Sequence, residues 1–283
     1  MARSLTDGPG RGGAVCSSAR SLRSLAVMLP QLLAAALSAG VWTATDLAAS
    51  RGWAASPRQS LIPLADPAGQ RLLMESSARS DHGPLAQWFE TQANLAYCGV
   101  ASAVMVLNSL AVPAPPVPGY GSYRFWTQTN AFTIPGSRGF LRPEVVAREG
   151  MTLAQLQGWL AGHSGLVVER FHADQLSLEQ WRTLLRRSLQ DSRDRLLVNY
   201  LRSALGQEGG GHISPLAAYD PGSDTVLILD VARYRYPAVW VSATDLWQAM
   251  RTTDVSSGRS RGLLLIHRQD NGSPPAVSAP ATR

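Results

Sequence analysis

An α+β fold, two-lobed, with a helical half facing an antiparallel sheet, is what this 283-residue sequence predicts. Three observations carry the prediction. Helical signals begin at Cys98, Thr152 and Ser177; β-rich runs follow at 195–201, 213–219, 226–231 and 263–267; and turn residues join two of those runs at hairpin distance. Between an N-terminal segment of about 50 residues and a short tail, about 220 residues remain, enough for one sizeable core. The sequence has no internal repeat.

The first 50 residues carry a separate message. Arg3, Arg11, Arg20 and Arg23 precede the uncharged run Leu25–Trp42, and small residues follow around Ala48-Ala-Ser50. Basic flank, apolar centre and small-residue exit read as a signal peptide or an uncleaved membrane anchor. Its 18 residues are short for a span and long for a signal-peptide centre, and Pro30 and Gln31 interrupt them. Export to the periplasm or exterior is the expectation; anchoring through residues 25–42 is the second reading, and an Arg- and Ser-rich transit peptide the third. Residues 60–80 then read as an extended lead-in.

The stretch Gln92-Ala-Asn-Leu-Ala-Tyr-Cys98-Gly-Val-Ala-Ser-Ala-Val-Met-Val-Leu-Asn-Ser-Leu110 passes from polar loop to apolar helix at the cysteine. Val100, Val104, Leu107 and Ala111 recur at helical spacing, and the proline-rich 113–118 stops the helix. A thiol at a helix start meets unpaired N–H groups and the positive end of the helix dipole, which favours the thiolate. The blander reading is a buried cysteine acting as a small hydrophobe. Tyr123–Asn130 reads as an aromatic-polar loop. Thr152–Gly162 reads as a second helix, and Ser177-Leu-Glu-Gln180 as the capping-box start of a third running to Leu189.

Downstream, Gly209-Gly-Gly-His212 leads into one strand, Asp220-Pro-Gly-Ser-Asp224 turns, and Thr225–Arg233 returns. If the hairpin closes symmetrically, residues whose numbers sum to 442 lie opposite, so His212 faces Asp230 at about 5 Å between Cβ atoms. A carboxylate there fixes the imidazole tautomer and stabilises the imidazolium formed when His212 takes the Cys98 proton. A structural histidine and an aspartate capping a turn are the alternative readings.

These residues resemble a known family. Gln92–Leu110, Gly211-His212 to Tyr219, and Ile228-Leu-Asp-Val-Ala-Arg-Tyr-Arg-Tyr-Pro237 with Trp240 are similar to the catalytic domain of phytochelatin synthases, a papain-like cysteine protease fold. The likeness runs roughly from Ser60 to Arg268, and a catalytic domain is expected over 56–268 with a disordered tail over 269–283. It implies that Cys98 attacks the carbonyl between γ-glutamylcysteine and glycine in glutathione, releasing glycine and leaving a thioester. His212 is then the general base and acid, and Asp230 its orienting carboxylate. Gln92 is the side-chain oxyanion donor beside the backbone N–H of Cys98. Asn199, Arg202, Arg233, Asp254 and Arg261 fall where the family binds substrate, and Ser256-Ser-Gly258 is a turn able to bring Asp254 and Arg261 together. Solvated charges and strand-end pairs are the alternative for those five.

The acyl group passes to a second glutathione, which is phytochelatin synthesis, or to water, which is deglycination; hydrolysis is expected to dominate or accompany transfer. The function class is acyl transfer with cysteine-peptidase-type hydrolysis, in heavy-metal detoxification or glutathione turnover. No intrinsic cofactor or protein metal site is expected, and cadmium or zinc is expected to act through thiolate complexes of glutathione. His82, His163, His172 and His267 show no metal-cage spacing. The cysteine-rich C-terminal region of plant-type members has no counterpart in this sequence, so the second glutathione site and metal sensing attributed to it are not expected. Glutathione is the expected partner, with a homodimer, no nucleic acid, and a membrane only through the N-terminal segment.

Charge and cysteine usage are compatible with this. The net charge of +6 is the balance of 26 basic and 20 acidic residues; the basic residues are all arginine, dispersed and without the aromatic interleaving of a nucleic-acid binder. Cys16 and Cys98 are the two cysteines; removal of the leader leaves Cys98 without an internal disulfide partner. Two other classes compete: a non-catalytic thiol-peptide or metal-binding module on the same scaffold, and a general papain-like protease, which the missing Cys-Gly-Ser-Cys-Trp type signature disfavours.

Overall fold

The computed structural model describes residues 61–133 and 141–269. The leader expected over 1–50 and, apart from Gln269, the tail expected over 269–283 lie outside the described residues. In chain order the elements are β1 (Ile62–Pro63), α1 (Pro67–Glu75), α2 (His82–Gln87), α3 (Cys98–Ser109), α4 (Pro143–Glu149), α5 (Leu153–Ala161), β2 (Leu166–His172), α6 (Leu178–Ser188) and β3 (Asp194–Leu201). Then come β4 (Gly211–Asp220), β5 (Thr225–Ile228), β6 (Val239–Ser242), α7 (Ala243–Arg251), β7 (Thr253–Asp254), β8 (Arg259–Ser260) and β9 (Gly262–Arg268).

Seven strands form one sheet in the order β1-β6-β5-β4-β3-β9-β2, with every neighbouring pair antiparallel, while β7 and β8 make a separate ribbon. The mixed chain with an antiparallel sheet agrees with the α+β expectation. The helices, however, cover both faces. One core joins α3 and α5 to Leu197, Ile213, Ala217, Leu227 and Leu264; the other joins α6 and α7 to Leu196, Val198, Tyr200, Leu216 and Leu265. Alternate residues of β3 thus serve different cores, which is why its sequence reads as a continuous apolar run rather than an alternation.

Helix α3 is buried from Gly99 to Asn108, so it is apolar all round. It ends one residue before the expected Leu110, and Ala111 takes a left-handed φ of 50° on the way to the prolines. Helices α5 and α6 start on reciprocal capping boxes, Thr152 with Gln155 and Ser177 with Gln180, each cap contributing about 1 kcal/mol.

Three expectations are corrected. The lead-in over 60–80 contains a helix, α1, opened by Pro67, whose missing N–H costs nothing at a first turn. The strand expected over 226–231 ends at Ile228. The hairpin register is not the symmetric one: Asp220 pairs with Thr225 and Ala218 with Leu227, and the register slips so that Leu216 pairs with Ile228. The turn is therefore longer than assumed, and the irregularity between Leu216 and Ala218 shifts the pairing once more.

Candidate active site

Asn94 shapes the approach to the thiol. Its Oδ1 accepts the Ala96 N–H at 2.9 Å and its carbonyl accepts the Tyr97 N–H at 3.2 Å, an Asx turn that ends with Cys98 at the first position of α3. Tyr97, at the cap, makes no side-chain cap bond, and no acidic residue stands in the first turn. The N–H groups and dipole of the helix start are thus left for the sulfur. Burial pushes the partly buried Cys98 thiol up, but the hydrogen bond and charge of His212, with the backbone N–H groups of Ile213 and Gly99, outweigh it and hold the thiol below its usual value.

His212 stands on β4 opposite Tyr200 of β3, whose ring meets it edge-on at 5.8 Å between centroids. Its Nε2 is 2.9 Å from Asp230 Oδ1 and 3.0 Å from Ser214 Oγ, which leaves Nδ1 to serve the sulfur to which it is hydrogen-bonded. Burial pushes His212 down, yet its bonds to Asp230 and Cys98 and their charges raise it above the usual imidazole value. Thiol lowered and imidazole raised is the condition for a thiolate–imidazolium pair.

Asp230 is fully buried and anchored on several sides. Its carboxylate accepts from His212, from the Ala232 N–H at 2.8 Å, from Tyr200 Oη at 3.4 Å and from both terminal nitrogens of Arg202 at 2.7 and 2.9 Å. Burial opposes ionisation, but the bonds from His212 and Arg202 hold Asp230 far below the usual carboxylate range. His212 and Asp230 therefore meet, although not as a directly opposed pair. With the register slipped, Leu229 N–H bonds to Pro215 and Val231 N–H to Ser214 Oγ, so Asp230 lies diagonally from His212, within side-chain reach.

Gln92 is buried, and its backbone N–H bonds to Val231 O at 2.9 Å. Nε2 donates to Asn94 O at 2.8 Å and reaches Tyr234 Oη at 3.3 Å; Oε1 has no hydrogen-bond partner among the described residues. Turning the amide over would set Oε1 against the Asn94 carbonyl, so Asn94 fixes which way it faces. One N–H is anchored there. The second reaches the Tyr234 hydroxyl.

A cavity of about 270 Å³ opens beside Cys98 and His212, walled by Asn199, Gly211, Asp254 and Arg261. The β7–β8 ribbon turns through Ser256–Gly258 and brings Asp254 Oδ1 to 4.0 Å from Arg261 Nη1, which donates to Asn199 Oδ1 at 2.8 Å. Arg261 Nε is buried with no partner among the described residues. A cation, an acid and an amide at one wall fit a ligand carrying both a carboxylate and an amine. A Cβ on Gly211 would collide with the Arg261 guanidinium, which would have to move aside.

Asn199, Asp254 and Arg261 thus line the cavity; Arg202 and Arg233 do not. Arg202 is buried behind Asp230, its Nη1 braced by Gln207 Oε1 at 2.9 Å and its guanidinium 4.7 Å from the Tyr236 ring centre. Arg233 is exposed, bonds to Phe89 O at 3.1 Å and lies over the Phe89 ring. Tyr200, Gly211, Ser214 and Tyr234 were not singled out as site residues by the sequence. Only the Gly-Gly-Gly run before His212 carried a signal, since three glycines in a row mark a close approach.

Residues 55–263 match the family model described as phytochelatin synthase. The chain is 34% identical over 218 residues to "Glutathione gamma-glutamylcysteinyltransferase 1" of Triticum aestivum, covering 76% of this chain and 42% of that protein. It is 33% identical to the Lotus japonicus protein of the same name, covering 75% and 41%, and 29% identical to "Glutathione gamma-glutamylcysteinyltransferase" of Schizosaccharomyces pombe, covering 68% and 45%. The chain therefore spans less than half the length of these relatives.

Proposed function

The chain belongs to the phytochelatin synthase family, and from that premise we propose that its cleft transfers the γ-glutamylcysteinyl group of glutathione, on a papain-like scaffold, to an amine or to water. The observation that carries the proposal is the junction of His212 with both Cys98 and Asp230 at the edge of a cavity walled by Asn199, Asp254 and Arg261.

The chemistry runs in two halves. The Cys98 thiolate attacks the carbonyl carbon of the Cys–Gly bond, and the negative charge developing on that oxygen is met by the Cys98 backbone N–H and the second Gln92 N–H. The imidazolium of His212 gives its proton to the departing nitrogen, so the C–N bond breaks, glycine leaves, and a thioester remains on Cys98. In the second half, neutral His212 takes a proton from the attacking nucleophile, and the thioester breaks with return of the thiol. A glutathione amine as nucleophile lengthens the chain by one unit; water yields γ-glutamylcysteine.

The substrate suits the far wall. The γ-glutamyl end of glutathione carries a free α-carboxylate and α-amine, which Arg261 and Asp254 are placed to receive, with Asn199 holding the guanidinium in line. Metal enters as part of the substrate, as cadmium or zinc thiolate complexes of glutathione. Incubation of the full chain with glutathione, with and without cadmium, tests the reading. Released glycine with γ-glutamylcysteine indicates hydrolysis, and longer (γ-Glu-Cys)n-Gly indicates transfer. Glycine under neither condition overturns it in favour of a binding module.

A further inference from the structure

Behind Arg261 lies a second cavity of about 190 Å³, and Asn199, Asp254 and Arg261 form part of the wall of both. The β7–β8 ribbon borders each: Val255 and Ser256 line the first, Ser257, Arg259 and Ser260 the second. Strand β2 adds Arg170 and His172 to the second. Its wall carries three arginines beside the apolar Leu153 and Ala154. Arg170 and Arg259 are exposed, and the Arg261 Nε is buried without a partner among the described residues. His172 Nδ1 lies 2.7 Å from the Ser260 carbonyl and so donates to it. Two carboxylates stand by. Asp254 accepts from the Ser256 N–H at 3.2 Å and the Ser257 hydroxyl at 3.3 Å, and Asp174 from the Ser260 hydroxyl at 2.7 Å. Three arginines bordering one small cavity fit an incoming carboxylate.

Resting on the reading that the first cavity takes the γ-glutamyl unit next to the cut bond, we propose that the second cavity is a carboxylate subsite for the preceding unit of a longer γ-glutamylcysteinyl donor. In (γ-Glu-Cys)n-Gly each unit keeps a free α-carboxylate, while the α-nitrogen of every unit but the first is acylated by the cysteine before it. A donor with two units seated up to the terminal Cys–Gly bond therefore extends past Asp254 and Arg261, and carries a second carboxylate toward Arg170 and Arg259.

The two ways of seating (γ-Glu-Cys)2-Gly give different products. With the second cavity filled, Cys98 attacks the terminal Cys–Gly carbonyl, glycine leaves with the His212 proton, and water releases (γ-Glu-Cys)2. With it empty, the first unit occupies the first cavity, the internal Cys–γ-Glu bond breaks, and the products are glutathione and γ-glutamylcysteine. The leaving group reports which cavity was used.

The experiment measures initial rates of glycine and glutathione release from (γ-Glu-Cys)2-Gly by the full chain, before freed glutathione is itself consumed, with glutathione as a second substrate. The expected result is glycine as the main leaving group from the longer donor. Arg170→Ala and Arg259→Ala, neither of them lining the cavity beside Cys98 and His212, should lower that glycine-releasing cut about tenfold, the scale of one charge-assisted hydrogen bond. They should turn the product toward glutathione and leave glycine release from glutathione unchanged. Glutathione as the main leaving group in the unaltered chain, or a product ratio indifferent to both variants, overturns the subsite. Absence of glycine from glutathione itself strikes instead at the acyl-transfer reading.

Discussion

Arg202 closes a two-point pair on Asp230, with Nη1 2.7 Å from Oδ2 and Nη2 2.9 Å from Oδ1, and both residues are buried. Asp230 is thereby shared between the imidazole it orients and a cation that keeps it ionised. Arg202 is a positioning residue, and its guanidinium is committed before any substrate arrives.

Replacing Arg202 by Met leaves a buried carboxylate without its arginine counter-charge, at a cost of about 3–5 kcal/mol. Arg233→Ala removes an exposed ring contact of about 0.5–1 kcal/mol. Urea unfolding should separate the two by that margin. Glycine-release kinetics should show a lowered kcat for Arg202→Met and an unchanged KM for Arg233→Ala. A raised KM with unchanged kcat in Arg202→Met would return it to substrate binding.

Gln92→Ala should lower kcat by about 10²–10³, the loss typical of one oxyanion donor, with little change in KM. Tyr234→Phe removes only the hydroxyl 3.3 Å from the amide, while the Asn94 anchor stays, so its effect should be much smaller. Steady-state glycine release decides; full activity in Gln92→Ala would remove that side chain from the mechanism.

The Cys98 thiol is pulled down by His212 against the upward push of burial. In the unaltered chain, iodoacetamide should therefore alkylate Cys98 at pH values below the usual thiol range. In His212→Ala only the burial and backbone contributions remain, so the rate profile should move to higher pH. Burial opposes the imidazolium of His212, but Asp230 and Cys98 outweigh it and raise His212, so both shifts favour the ion pair, which protonation of the thiolate at low pH or loss of the imidazolium proton at high pH removes. Superimposable alkylation profiles would contradict the pairing.

Arg261→Ala should lower kcat/KM for glutathione by about ten- to a hundredfold, the scale of a charge-assisted hydrogen bond. Gly211→Ala should act on the same step by a different route, since the added methyl displaces the Arg261 guanidinium. The double variant should then lose little more than either alone, because neighbouring changes on one contact do not add. Full additivity in the kinetic cycle would show that Gly211 acts elsewhere.

The chemical residues were more legible in the sequence than their relations. The start of α3 at Cys98 and both capping boxes follow from local rules, which is why they fall where expected. The His212–Asp230 contact was legible as a pairing of two strands, but not its register. The local mark of the slip between Leu216 and Ala218 is Pro215, which has no N–H for the ladder, but it does not say which way the register moves, and the long imidazole reaches Asp230 from a diagonal position. Arg202 was legible as a residue of the site but not as to its direction, because a sequence match carries residue type and not the side of the strand end on which a guanidinium lies. The cover over the second face of the sheet was hidden for a similar reason. Strand β3 is apolar on both faces, and α7, which packs there, carries no capping box.

Intact-protein mass spectrometry of the full chain, quenched within its first turnovers on glutathione, tests acyl transfer through Cys98 most directly. The account predicts an adduct of about 232 Da, one γ-glutamylcysteinyl group held as a thioester, mapped to Cys98, released by hydroxylamine and absent in Cys98→Ser. Glycine release without any adduct in the unaltered chain, or an adduct that persists in Cys98→Ser, would contradict it.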